Sequence, residues 1–193
     1  MLWMGEEYAE PAPFLYFVSH ADPDLIEAVR TGRREEFSAF AWQGEAPDPQ
    51  AEETFTRSTL DLDLAHDGDQ HEAMFSLYRE LIGLRRRLPV LHDPAGHDVD
   101  ATLVPGAQAI ALHRQGPLGE VVVAINAEKR DVEVVLAHAP GPWQERFSTA
   151  ARHHGGDDPA GPPRQEGAAL TVPLARRSVR VLVGPGTIER EQA

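Results

Sequence analysis

Met1-Leu2-Trp3-Met4-Gly5-Glu6-Glu7-Tyr8-Ala9-Glu10-Pro11-Ala12-Pro13-Phe14-Leu15-Tyr16-Phe17 opens the chain. Its first four residues form an unbroken apolar run that Gly5 ends. A run of that kind suits a strand buried on both faces, as in a parallel sheet covered by helices. Such a strand needs partners for its backbone N–H and C=O groups. No apolar run precedes Met1 to supply them, so the stretch reads as the end of a larger fold. Glu6 and Glu7 follow directly at the strand's expected carboxyl end. On extended backbone, neighbouring side chains point to opposite sides. A retaining glycosidase pair has to face across a bond at about 5–5.5 Å, which adjacent residues do not readily achieve. On a functional reading one of the two lines a cleft and the other anchors a loop; the commoner reading of such a pair, from spacing alone, is that both are structural.

Downstream, His20-Ala21-Asp22-Pro23 predicts a helix start, with Asp22 as N-cap and Pro23 at the first helical position. The helix is expected from Pro23 to Trp42, with Leu25, Ile26, Val29, Phe37 and Phe40 near one face and Gly32 weakening its middle. Gly44 to Thr54 carries two prolines and several acids and reads as a loop, as does the acidic stretch Leu60 to Gln70. A clear helical period follows over His71 to Leu88, and Pro89 stops it. Strand-like runs then occupy Ala107–Arg114, Glu120–Asn126, Val132–Ala137, Trp143–Thr149, Ala168–Leu174 and Ser178–Val183. Gly, Pro and Asp punctuate them, which predicts an antiparallel sandwich or small barrel. Gly155 to Gly167 reads as a long polar loop.

The 193 residues carry a net charge of −13 with histidines neutral, and no cysteine. The acidic balance disfavours nucleic acid and anionic membrane as partners. Arg85-Arg86-Arg87 suits a solvated helix C-terminus better than a phosphate site. The absence of cysteine excludes disulfides and thiolate metal sites and fits a cytoplasmic protein. No apolar run reaches the roughly 20 residues of a membrane span.

Other motifs carry less. Asp63 as the first position of a calcium loop would put Ala65 third and Met74 twelfth, where an oxygen ligand and a bidentate Glu are required, so the match fails. His153 and His154 are adjacent in a Gly/Asp/Pro loop without a third ligand at helical spacing, which is weak support for zinc. No G-x-S-x-G, phosphate loop or G-x-G-x-x-G occurs. Phe14, Tyr16, Phe17 and Trp42 offer rings that could stack on sugars, although core packing is the commoner use.

The runs MLWMGEEYAEPAPFLYF, HADPDLIEAVRTGRREEFSAF, PDP, FTRSTLD and LYRELIGLRRRLPVL together resemble the carboxyl-terminal part of the malto-oligosyltrehalose trehalohydrolase family, a branch of the α-amylase family of glycoside hydrolases. The resemblance covers Met1 to about Leu91 in motifs and Val90 to Pro185 mostly in layout. It departs at Ser19, where that family often carries Asp before His20.

The resemblance implies an α+β fold class: a remnant of the end of a (β/α)8 barrel, its last strand and helices, followed by an all-β antiparallel sandwich. It implies a barrel-end segment at 1–89, a β domain at 90–185 and a tail at 186–193. Met1–Met4 would be strand eight and His71–Leu88 the last barrel helix. Barrel active sites lie at the carboxyl ends of the strands. Glu6, Glu7 and Tyr8 are accordingly expected to rim a substrate cleft. The family's catalytic carboxylates come from strands four, five and seven, so no residue here inherits a catalytic role. The implied reaction is hydrolysis of the α-1,4 bond next to a terminal trehalosyl unit, releasing trehalose. The implied partners are maltooligosyl trehalose or an α-glucan and the missing barrel polypeptide, with no metal and no cofactor. The alternative is a non-catalytic carbohydrate-binding or scaffolding module that completes a barrel supplied by another chain.

Overall fold

A computed structural model describes residues 2–39, 46–92, 98–157 and 160–190. The chain divides into two compact units, Met1–His66 and Asp67–Ala193. The sequence suggested a division at Pro89/Val90. By compactness the helix before Pro89 sits with the strands, because its apolar face is used against them.

That helix is α3, Gly68–Arg87. Helices α1 (Pro23–Ala39) and α2 (Glu52–Thr56) precede it. Eight strands follow: β1 Asp98–Leu103, β2 Ala109–Gly116, β3 Gly119–Asn126, β4 Val132–Leu136, β5 Gln144–Ser148, β6 Arg164–Glu166, β7 Ala169–Leu174 and β8 Ser178–Val183. All pair antiparallel, in one sheet of order β1-β2-β3-β8-β5 and a second of order β4-β7-β6.

The larger sheet is covered on both faces. The register pairs Ala111 with Ala124 and Val122 with Leu182 on one face, and these meet Val134, Leu170 and Val172 of the smaller sheet. On the other face Val121, Val181, Val183 and Phe147 pack against Leu84 of α3 and Leu88 and Val90 just beyond it. The result is three layers: sheet, sheet, helix. It explains why β3 reads Val-Val-Val-Ala-Ile without polar alternation, since both of its faces are buried.

Two buried polar side chains inside this unit are tied in by several partners each, as burial requires. Arg180, 3% exposed, projects from β8 toward Glu145 at 3.0 Å and donates to the Gly161 and Pro173 carbonyls. Asn126 donates to the Arg130 and Ala175 carbonyls, and its Oδ1 accepts from the Glu128 N–H. It pins the turn after β3 to the end of β7. Two strands escaped the sequence reading. Both β1 and β6 are almost wholly exposed, so neither shows an apolar alternation.

The unit Met1–His66 is built differently. Neither core cluster includes a residue from it, and Tyr8 is its one large buried side chain among the described residues. Backbone and side-chain tethers hold it instead. Asp22 caps α1 as expected, its Oδ1 accepting from the Asp24 N–H at 2.9 Å. Gln50 exchanges two hydrogen bonds with the His20 backbone. The Arg30 guanidinium grips Asp48 with a two-pronged ion pair, Nε to Oδ1 at 2.9 Å and Nη2 to Oδ2 at 2.8 Å.

Leu2 and Trp3 adopt no regular structure and Met4 lies in a turn, so the strand expected at Met1–Met4 is not formed over its described residues. The physical reason is the one the apolar run itself raised: among the described residues no strand lies alongside to satisfy its backbone. Helix α1 ends at Ala39, and the expected continuation through Phe40 to Trp42 lies outside the described residues. The acidic stretch Leu60 to Gln70 is partly ordered, as a short 3-10 helix at Leu62–His66 and the first turn of α3. No described helix is long and apolar enough to cross a membrane.

The Arg30 guanidinium, followed by the Gln50 N–H, holds the Asp48 carboxyl below its ordinary range. A depressed carboxylate stabilises the folded state above its unfolded value of about 3.9 and loses that contribution as pH falls through the folded value. The tether between α1 and the loop at 46–51 is therefore expected to weaken below about pH 4. Monitoring α1 by backbone chemical shifts during acid titration checks this: Asp48→Asn should abolish the acid-dependent step while leaving the strands unmoved.

Candidate functional site

Gly5 turns the chain at φ +91°, and Glu6, Glu7 and Tyr8 form a single 3-10 turn after it. A Cβ at residue 5 would stand 2.7 Å from the Glu10 Cβ, so glycine fits both the dihedral and the space. Glu7 folds back to accept the Gly5 N–H at 3.0 Å, anchoring the turn. Glu10 ties three segments: its N–H donates to the Gly5 carbonyl, and its two carboxylate oxygens accept from the Ala12 and Asp61 N–H groups, each at 2.9 Å.

These tethers shape a hollow of about 150 Å³ lined by Trp3, Met4, Glu6, Phe14, Ser58 and Leu60, among others. Trp3 and Phe14 meet edge to face at 4.7 Å, yet each keeps more than half of its surface open, at 54% and 57%. Apolar rings beside a carboxylate are the materials of a sugar-binding surface, because ring faces take the C–H side of a pyranose and the carboxylate accepts from hydroxyls.

The three residues singled out in the sequence fall in three different settings. Glu6 lines the hollow. Glu7 is half-buried and occupied in the turn. Tyr8 is 2% exposed and offers no open ring face here. Burial, followed by the Glu10 carboxylate, pushes its hydroxyl above the ordinary phenol range. Of the other rings, Phe14, Tyr16 and Phe17 are exposed, while Trp42 lies outside the described residues. Tyr16 is partly taken by Arg33, whose guanidinium sits 5.2 Å above its ring centroid. Phe17 meets Phe55 edge to face at 5.2 Å.

Trp3 and Glu10 were missed as site residues. Trp3 read as core because it stands in an apolar run, and the reach of Glu10 to Asp61 spans fifty-one positions of chain. In the second unit, the paired histidines acquire a third neighbour, Glu80 of α3, seventy-four positions from His154.

No protein-family model matches the chain. Sequence comparison is more specific. A malto-oligosyltrehalose trehalohydrolase from Rhizobium sp. (strain M-11) is 49% identical over 92 residues, 47% of this chain and 15% of that protein. One from Deinococcus radiodurans is 42% identical over 153 residues, 73% of this chain and 25% of that protein. The chain is a relative of the malto-oligosyltrehalose trehalohydrolases. It spans a quarter or less of the length of these two trehalohydrolases. A solved Salmonella typhimurium structure, assigned to an alpha amylase, superposes with a TM-score of 0.67 at 31% identity, covering 94% of this chain and 27% of that one. The trehalohydrolase and α-amylase likenesses agree, and the antiparallel sheets of the second unit are compatible with the terminal β domain that the resemblance implied.

Proposed function

We propose that the chain is the carboxyl-terminal portion of a trehalohydrolase-like glycoside hydrolase of the α-amylase family. The observation that carries this reading is the identity to trehalohydrolases at 40–49%, reached over only 15–25% of their length. In this reading Met1–His66 contributes the end of a (β/α)8 barrel, with Glu6 and Glu7 at the rim of the substrate cleft and Tyr8 supporting the rim from beneath. Residues 90–185 are the terminal β domain, and α3 is the last barrel helix, laid on its sheet. The substrate is maltooligosyl trehalose or a related α-glucan, and the whole enzyme cleaves the α-1,4 bond next to the terminal trehalosyl unit.

The 193 residues by themselves are expected to be inactive. Retaining glycosidases need a nucleophile and an acid/base facing each other across the bond. Glu6 and Glu7 are adjacent, and Glu7 is committed to the Gly5 N–H, so they do not make such a pair. Without both groups the differential stabilisation of the transition state is lost. Incubating the purified chain with maltooligosyl trehalose should release no trehalose above the no-protein control, and adding a polypeptide that supplies the remaining barrel should restore release. Trehalose release by the chain alone would contradict this reading.

The hollow supports a second reading, a carbohydrate-binding module without chemistry of its own. Trp3 and Phe14 leave ring surface open beside Glu6. Titration calorimetry with maltooligosaccharides separates the two. If the hollow is a binding surface, Trp3→Ala weakens affinity by about tenfold, the loss of one aromatic contact of roughly 1–1.5 kcal/mol. Equal affinity in the parent and the variant would remove the hollow from the binding surface.

A further inference from the structure

His153 and His154 lie on a one-turn 3-10 helix that follows β5, and Glu80 projects from α3 toward them. His154 is held on every side. Its side chain is 1% exposed and its ring packs 5.0 Å from that of Phe147, which belongs to the core between α3 and the sheet. Its Nδ1 lies 2.9 Å from the Ser148 carbonyl oxygen. A carbonyl only accepts, so Nδ1 carries the hydrogen and donates it.

That hydrogen bond decides what the other nitrogen can be. A neutral ring protonated at Nδ1 has a bare lone pair at Nε2. Here Nε2 faces Glu80 Oε2 at 2.8 Å. Two lone pairs at that distance repel, so a positive species belongs there, either a second ring proton or a metal ion. A proton satisfies two atoms, but three converge. His153 Nε2 stands 3.7 Å from the same Glu80 oxygen, and the two imidazole rings are 4.0 Å apart. One ligand atom from each of the three residues lies within 4.8 Å of the others. Tetrahedral zinc with bonds of about 2.0–2.2 Å sets its ligands roughly 3.4 Å apart, so the 3.7 Å contact is near that spacing while the 2.8 Å His154–Glu80 pair has to open by about 0.6 Å to admit the ion.

We infer that Glu80, His153 and His154 form a site for a divalent cation of the zinc class, with solvent completing the coordination beside the exposed His153. The donor set of two imidazoles and one carboxylate suits zinc among the divalent ions. The His154 Nδ1–H to the Ser148 carbonyl is the outer hydrogen bond that fixes the tautomer of a metal-ligating histidine. Gly155, at φ +79°, closes the turn, and a Cβ on Gly156 would stand 2.3 Å from the Ala150 carbonyl. The turn is thus seated closely and the His154 ring is held in place. The ion would clamp α3 to the end of β5 and fasten the helix layer to the sheet. This clamp is independent of the sugar chemistry proposed above.

The test uses the full 193-residue chain stripped of metal by a chelating resin. Titration with zinc ion alone near neutral pH should show one saturable equivalent, and the melting temperature should climb with zinc concentration. His153→Ala touches an exposed side chain and leaves the core intact, so it should fold normally and bind zinc at least about tenfold more weakly. Glu80→Gln should show the same loss. Absence of saturable binding overturns the inference. So does zinc affinity unchanged in both variants, which would place the ion on other histidines. A third contrary result is a melting temperature that Glu80→Gln lowers but zinc never raises, which would make the cluster a hydrogen-bonded imidazolium–carboxylate pair.

Discussion

The constraint on which the second unit depends is that β3 and β8 are buried on both sides. Val122 and Leu182 face the smaller sheet, while their neighbours Val121, Val181 and Val183 face α3. One backbone layer therefore serves two cores. Strands of this kind fix their neighbours, because a one-residue slip would exchange the entire contents of the two faces. Arg180 sits on the same strand and the same face as Leu182, and its ion pair with Glu145 positions β5 at the sheet's edge. The bulge between Glu145 and Phe147 lets the former face Arg180 and the latter face α3.

Met1–His66 obeys another logic. It orders its chain with side-chain carboxylates, amides and one guanidinium, and it leaves Leu2, Trp3, Met4, Phe14 and Phe17 in the open. Exposed apolar residues gathered in this way are characteristic of surfaces made to meet something else. The proposed membership of a larger glycoside hydrolase accounts for them as parts of a cleft rim and of faces that a barrel would cover.

Much of this was legible in the sequence. The strands β2, β3, β4, β5, β7 and β8 announce themselves by apolar runs between turn residues, and α3 by its helical period ended at Pro89. Legibility failed where burial is absent or partners are remote. Asp98–Leu103 and Arg164–Glu166 are solvated edges with no alternation to read. The run Met1–Met4 carries a strand's composition, yet a strand is a property of two segments and among the described residues no strand accompanies Leu2–Met4. Glu6 and Glu7 are visible as residues of interest, but which of them folds back onto the Gly5 N–H is seen only in the turn itself. The Glu80–His154 pairing joins positions that no local pattern links.

The central claim is that the doubly buried layer couples the helix to both sheets. Leu182→Ala tests it directly, with hydrogen exchange of the full chain as the readout. Truncating this fully buried leucine should cost about 3 kcal/mol. The slowest amides of β7, β3 and the end of α3 near Leu84 should then all lose protection by that same amount. Loss confined to the smaller sheet, with the α3 amides keeping their original protection, would contradict it.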